Sequence, residues 1–142
     1  MNMIDWYKKV VFENYANFKG RATRNEFWYY SLINILLYIL CIFSIVLLGE
    51  VTDYETSEAI SGIIAIIFTL YYLCVLIPSL AVTVRRLHDA GKSGWNFLVY
   101  FIPFVGPILL LVFLATDSDI FTNKWGPNPK APADEINDIG LI

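Results

Sequence analysis

Residues 28–48 read WYYSLINILLYILCIFSIVLL, without a single Asp, Glu, Lys or Arg. A helix rises about 1.5 Å per residue and the hydrocarbon core of a bilayer is about 30 Å thick, so such a run is long enough to cross it. Its Ile and Val residues favour strands in water, but lipid offers no partners to the backbone, and one segment can satisfy its own N–H and C=O groups only as a helix. Two further stretches repeat the pattern: 60–82, ISGIIAIIFTLYYLCVLIPSLAV, and 95–114, WNFLVYFIPFVGPILLLVFL. The charge-free windows 27–49, 59–84 and 94–116 hold about half of the 142 residues. The chain as a whole is 57% apolar and 16% charged, against about a quarter charged in a soluble domain. That division excludes a soluble globular enzyme and a disordered chain. The net charge of −3 excludes a basic nucleic-acid binder, and two cysteines exclude a disulfide-stapled secreted domain.

The expectation is therefore an all-α, polytopic membrane protein. Residues 1–132 form a single membrane domain with transmembrane helices at about 28–48, 60–82 and 95–114, and 133–142 form an acidic, flexible tail. Orientation follows from the basic residues that flank each span. Lys8, Lys9, Lys19, Arg21 and Arg24 precede the first span, and Arg85, Arg86 and Lys92 lie between the second and third. The 49–59 loop has only acids, Glu50, Asp53, Glu55 and Glu58. The N-terminus and the 85–93 loop are thus expected in the cytoplasm, and the acidic loop and the C-terminus outside. The first span is expected to be kept as an anchor, because what precedes it is too long and too charged for a signal sequence.

The third span carries Pro103, Gly106 and Pro107 near its middle, where each proline removes an N–H and crowds the carbonyl four residues back. A kinked crossing is the default expectation. A broken, re-entrant pair of half-helices is the alternative, and it would return the tail to the cytoplasm.

Residues 2–18 show helical periodicity, with Ile4, Tyr7, Val11, Tyr15 and Phe18 on one face and Asp5, Lys9 and Glu13 opposite. This predicts an amphipathic interfacial helix lying on an anionic leaflet, or the same stripe packed on the protein's own cytoplasmic loop, the two not being exclusive. Gly20 reads as a helix stop, and Thr23 with Glu26 as a capping box that starts the first span. Arg21 and Arg24 are snorkelling anchors that, with Lys19, could hold a phosphate headgroup.

The run Arg85-Arg86-Leu87-His88-Asp89-Ala90-Gly91-Lys92-Ser93-Gly94-Trp95 is the densest polar segment beside the membrane. Structurally, its basic residues suit the negative end of the helix dipole, Gly91 caps the second span and Ser93 starts the third. Arg85 and Asp89, four apart, are placed to pair. Functionally, the single His in the chain beside a carboxylate and two guanidiniums could bind an anion or move a proton.

Catalysis is the weaker reading. One His, two isolated Cys and scattered carboxylates make no metal-ligand spacing, and no nucleophile or phosphate-loop motif occurs, so no metal, cofactor or catalytic residue is expected. Cys41 and Cys74 read as apolar fillers. Asp117-Ser118-Asp119 fails as a calcium loop because Thr122 stands where glycine is needed. Asn34 reads as interhelical glue, and the membrane interior lacks the ionisable group that a carrier would use. Trp125-Gly126-Pro127-Asn128-Pro129 reads as a turn with an aromatic anchor.

The segments Asp5-Trp6-Tyr7, Asn14-Tyr15, Gly20-Arg21-Ala22, Arg24 and Glu26-Phe27-Trp28, then Arg85 to Asp89, Lys92 to Trp95, Ile102-Pro103, Gly106, Asn123 and Gly126 to Pro129 occur in an order that resembles the bacterial inner-membrane family of unknown function DUF805. The chain departs from that pattern at Ser118 to Phe121, where the family is glycine-rich, and in the 49–59 loop. The resemblance implies a helical membrane fold at the inner membrane and supplies no activity. It also implies that the polar motifs form one shared feature, a cluster of Arg21, Arg24, Glu26, Arg85, Arg86, His88 and Asp89 at the cytoplasmic surface. The function expected is that of a non-enzymatic protein whose cluster locks the bundle or docks anionic membrane lipids, a second copy or another membrane protein, with no nucleic acid. The alternative is a subunit of an oligomeric channel or transporter.

Overall fold

The first two expected spans form helices that extend beyond the predicted bounds at both ends. In the computed structural model, which describes residues 1–130, α2 runs Arg24–Val51 and α3 runs Tyr54–Asp89, preceded by a short α1, Met3–Lys8. At 28 and 36 residues, α2 and α3 are roughly 42 and 54 Å long, and both are apolar enough to span a membrane. The acidic loop shrinks to a tight turn: Thr52 caps α2, and the Asp53 carboxylate accepts the Thr56 N–H at 3.0 Å to start α3. Glu50, Glu55 and Glu58 thus ride on helix ends. The expected acidic tail, 133–142, lies outside the described residues.

Polar side chains zip the two helices together. Tyr71 Oη donates to Asn34 Oδ1 at 2.9 Å, so the Tyr7 hydroxyl, 2.8 Å away, is the donor to Tyr71. Asn34 donates on to the Tyr30 carbonyl, and Tyr72 donates to the Asn34 carbonyl. Asn34 is interhelical as expected. Pro78, inside α3, has no N–H for the Cys74 carbonyl, and the Tyr15 hydroxyl donates to that carbonyl instead, at 2.6 Å.

The N-terminal segment differs from a continuous amphipathic helix over 2–18. α1 opens on an Asn2–Asp5 capping box, but Lys9–Glu13 is a π-helical turn and regular helix ends there. The wider turn shifts the register, so Val10 rather than Val11 is fully buried, while Ile4 remains exposed. Tyr7 stacks on Tyr30 at 5.6 Å, and Tyr15 and Tyr7 both bond α3. The segment packs against α2 and α3.

The third apolar stretch is not one helix. A 3-10 segment covers Gly94–Phe101, the chain reverses at Ile102–Phe104, and α4 covers Val105–Ala115. At 11 residues α4 is roughly 16 Å long, half of what a bilayer requires. The reason lies in the proline-glycine motif: Phe104 takes φ 63 at the reversal, and a Cβ on Gly106 would stand 2.1 Å from the Val99 carbonyl oxygen. Only glycine lets the two arms of this hairpin approach so closely. Gly94 begins the hairpin beside Val84 and His88, and α4 ends with its Leu114 carbonyl bonded to Arg86. Both ends of the stretch therefore meet the same end of α3, which corrects the expectation of a single helix over 95–114.

Candidate functional site

α3 stops after Asp89 because Gly91, at φ 70, turns the chain: its N–H bonds the His88 carbonyl and the Lys92 N–H reaches back to Leu87. This leaves the last turn of α3, Arg85 to Asp89, buried among the segments that converge on it. From the N-terminal side, the Ala22 N–H bonds the Arg85 carbonyl at 3.0 Å, which brings Arg21 alongside.

Asp89 is the centre. One carboxylate oxygen accepts Arg21 Nε at 2.9 Å, and the other accepts Arg86 Nη1 and the Ser118 hydroxyl, the latter at 2.6 Å. Arg21 goes on to donate to the backbone carbonyls of Asp89, Asp119, Phe121 and Gly126. With the Asp89 carboxylate included, these five acceptors match the five N–H donors of a guanidinium. Arg86 donates to the Leu114 and Thr116 carbonyls, and Arg24 donates to that of Ala115, so two guanidiniums close the C-terminus of α4, where the helix dipole is negative. Arg24 also faces Asp117 at 3.5 Å. The Lys130 ammonium at 2.7 Å, followed by the Ser118 N–H, holds that exposed carboxylate down to about 2.

Glu26 and Arg85 form a second centre. Glu26 bonds Arg85 Nη1 at 2.6 Å and Lys9 at 3.2 Å, so its side chain does not complete the expected capping box, of which only the Thr23 half forms. Arg85 pairs with Glu26 rather than Asp89, because Asp89 faces Arg21 and the tail. Its remaining donors, Nε and Nη2, are buried with no partner among the described residues.

His88 stands beside both. Its Nδ1 lies 3.2 Å from the Gly20 carbonyl, which only accepts, so this nitrogen carries the proton. Trp125 stacks on the ring at 4.4 Å, and Asn123 donates to the His88 carbonyl at 3.0 Å. Burial pushes the imidazole below its usual value, the Gly20 bond pulls it partly back, and the nearby Lys124 charge lowers it again. Among the described residues no three His, Cys, Asp or Glu side chains meet as a metal would require.

All seven candidate residues thus sit at one end of the molecule, in two adjoining centres. Sequence reading missed their partners: Lys9, Ser118, the carbonyls of residues 114–126, and Trp125 as the cover of His88. The Asp117-Ser118-Asp119 run, set aside as a calcium loop, is a docking strip for Asp89 and Arg21, with the Asp119 N–H bonded to the Asp89 carbonyl at 2.7 Å. The order of the Asn123 and Gly126 to Pro129 motif was the one signal of this role.

Residues 15–127 match the model of a family described as "Protein of unknown function (DUF805)". The chain is 37% identical over 127 residues to inner membrane protein YhaH of Escherichia coli K12, a match that covers 89% of this chain and 98% of that one. It is 35% identical to inner membrane protein YhaI of the same organism, over 89% of this chain and 97% of the relative. The uncharacterized E. coli protein YiiR is 34% identical, over 79% of this chain and 82% of that one. No solved structure matches. The matched span runs from Tyr15, which bonds α3, to Pro127, just past the turn that covers His88, and so takes in α2, α3, the hairpin and every charged candidate: the chain belongs to the DUF805 family.

Proposed function

We propose that this protein is a non-enzymatic component of the inner membrane: a two-span helical hairpin with a charge-locked cytoplasmic head. In this reading α2 and α3 cross the bilayer, the 94–116 hairpin enters from the cytoplasmic side and returns, and the Arg21, Asp89 and Arg86 centre fastens the returning chain to the end of α3. One observation carries it. With the third apolar stretch folded back, all 10 Lys and Arg residues gather at one end of the molecule, and Glu50, Asp53, Glu55 and Glu58 mark the other. A single-sided distribution of this kind is the strongest form of the positive-inside bias.

Support for a structural rather than catalytic role comes from how fully Arg21 and Asp89 are engaged. Arg21 uses all its donors on the chain itself, and both Asp89 oxygens are bonded. A general acid or base must instead reach a substrate. The test of topology is a pair of reporters fused after Ile142. A fluorescent protein should be bright and alkaline phosphatase silent; an active phosphatase would overturn the reading and restore a full third crossing.

A further inference from the structure

Beside the charged centres lies a cleft of about 510 Å³, within the range of small-molecule sites, roughly 300–1,000 Å³. Leu80, Val84 and His88 form one wall, spaced four apart along a single face of α3, and Trp95, Leu98 and Trp125 are among the residues that line the other sides. Two features distinguish it from a plain apolar groove. First, the wall changes character along its length: Leu80 and Val84 belong to the charge-free stretch of α3, and His88 lies one turn beyond its end. The cleft thus straddles the boundary at which an amphiphile changes from chain to headgroup. Second, its polar features are complementary to a phosphate-bearing headgroup. His88 Nδ1 carries the proton, so Nε2 of the neutral ring is an acceptor, and it has no partner among the described residues. It sits next to Gly94 in the cleft wall. Nε2 is not sealed in the protein but opens on the cleft, where an N–H or O–H of an occupant can reach it. Lys124, whose ammonium lies 4.3 Å over the ring of Trp125, places positive charge beside that wall of the cleft.

We infer that the cleft holds one glycerophospholipid whose headgroup carries an O–H or N–H, with the acyl chain along Leu80 and Val84, the phosphate toward Lys124 and the headgroup donor at His88 Nε2. This rests on the membrane placement proposed above. Trp95 is largely exposed and Leu98 about half exposed, so the cleft is open on that side.

The experiment is native mass spectrometry of the full chain in detergent, titrated separately with phosphatidylethanolamine, phosphatidylglycerol and phosphatidylcholine of identical chains. The expected result is one retained lipid, with ethanolamine or glycerol headgroups held at least about fivefold more tightly than choline, which has no donor. Which of the two binds more tightly identifies the natural headgroup. Leu98→Trp, which fills the cleft from an exposed position, should abolish retention, and Lys124→Ala should weaken it about fivefold. His88→Phe, which keeps the stack on Trp125, should erase the headgroup preference. Melting curves on the same samples identify any variant that fails through unfolding. Equal retention of all three lipids, or retention unchanged in folded Leu98→Trp, would overturn the assignment. The reporter fusions read the topology independently, so loss of this site leaves the membrane reading standing.

Discussion

Asp89 is a fully buried carboxylate between two guanidiniums, and removing it strands both charges. Breaking such a pair from one side costs about 3–5 kcal/mol, far more than an exposed ion pair, which is worth about 1 kcal/mol or less. Asp89→Ala is therefore expected to lower the melting temperature strongly in detergent, while Arg24→Ala, whose side chain is 40% exposed, should shift it only slightly. His88 adds a pH dependence of definite sign. Burial depresses its imidazole in the folded chain, so the unfolded chain binds the proton more readily. Stability is complete above the ordinary value of 6.5 and declines as pH falls from there toward the folded value. Melting curves between about pH 7.5 and about pH 5 should show this decline, and His88→Phe should reduce it.

Two elements depend on single backbone accommodations. In the 94–116 hairpin a methyl group at Gly106 would collide with the Val99 carbonyl, which belongs to the backbone of the opposing arm and cannot swing aside. Gly106→Ala should open the hairpin and expose Val99 to Gly106 to protease. Gly62→Ala, on α3 with nothing within 4 Å of the new Cβ, should be neutral or stabilise by up to about 1 kcal/mol. In α3, Tyr15 serves the carbonyl that Pro78 leaves unpaired. Tyr15→Phe should cost about 1 kcal/mol with Pro78 present and little after Pro78→Ala, because alanine restores the N–H; a double-mutant cycle on thermal stability measures the difference.

At the scale of the molecule, the sorting of charge and the hairpin reversal make one claim about sidedness. In a background without Cys41 and Cys74, Ser57→Cys and Thr122→Cys should react with a membrane-impermeant maleimide from opposite sides of sealed vesicles. Equal labelling from one side would contradict it. The cluster also explains why the tail motif accompanies the α3 motif: Arg21 reaches Asp119 and Gly126 across about a hundred residues of chain, so N-terminal segment, α3 end and tail are a single structural unit.

The two long helices and their charge-free windows were legible in the sequence because a bilayer imposes a local rule: about twenty uncharged residues in a row must satisfy their own backbone. Thr23, Gly91 and Ser93 were equally readable, since caps act within a few residues. What only the tertiary structure decided is whatever depends on a distant neighbour. A stretch broken by Pro103 and Pro107 crosses or turns back according to what covers its freed backbone, and here Arg86 and Arg24 receive the end of α4. Arg85 chose Glu26 over the nearer Asp89 because long, flexible guanidiniums pair with whichever carboxylate packing delivers, and sequence spacing does not determine that packing.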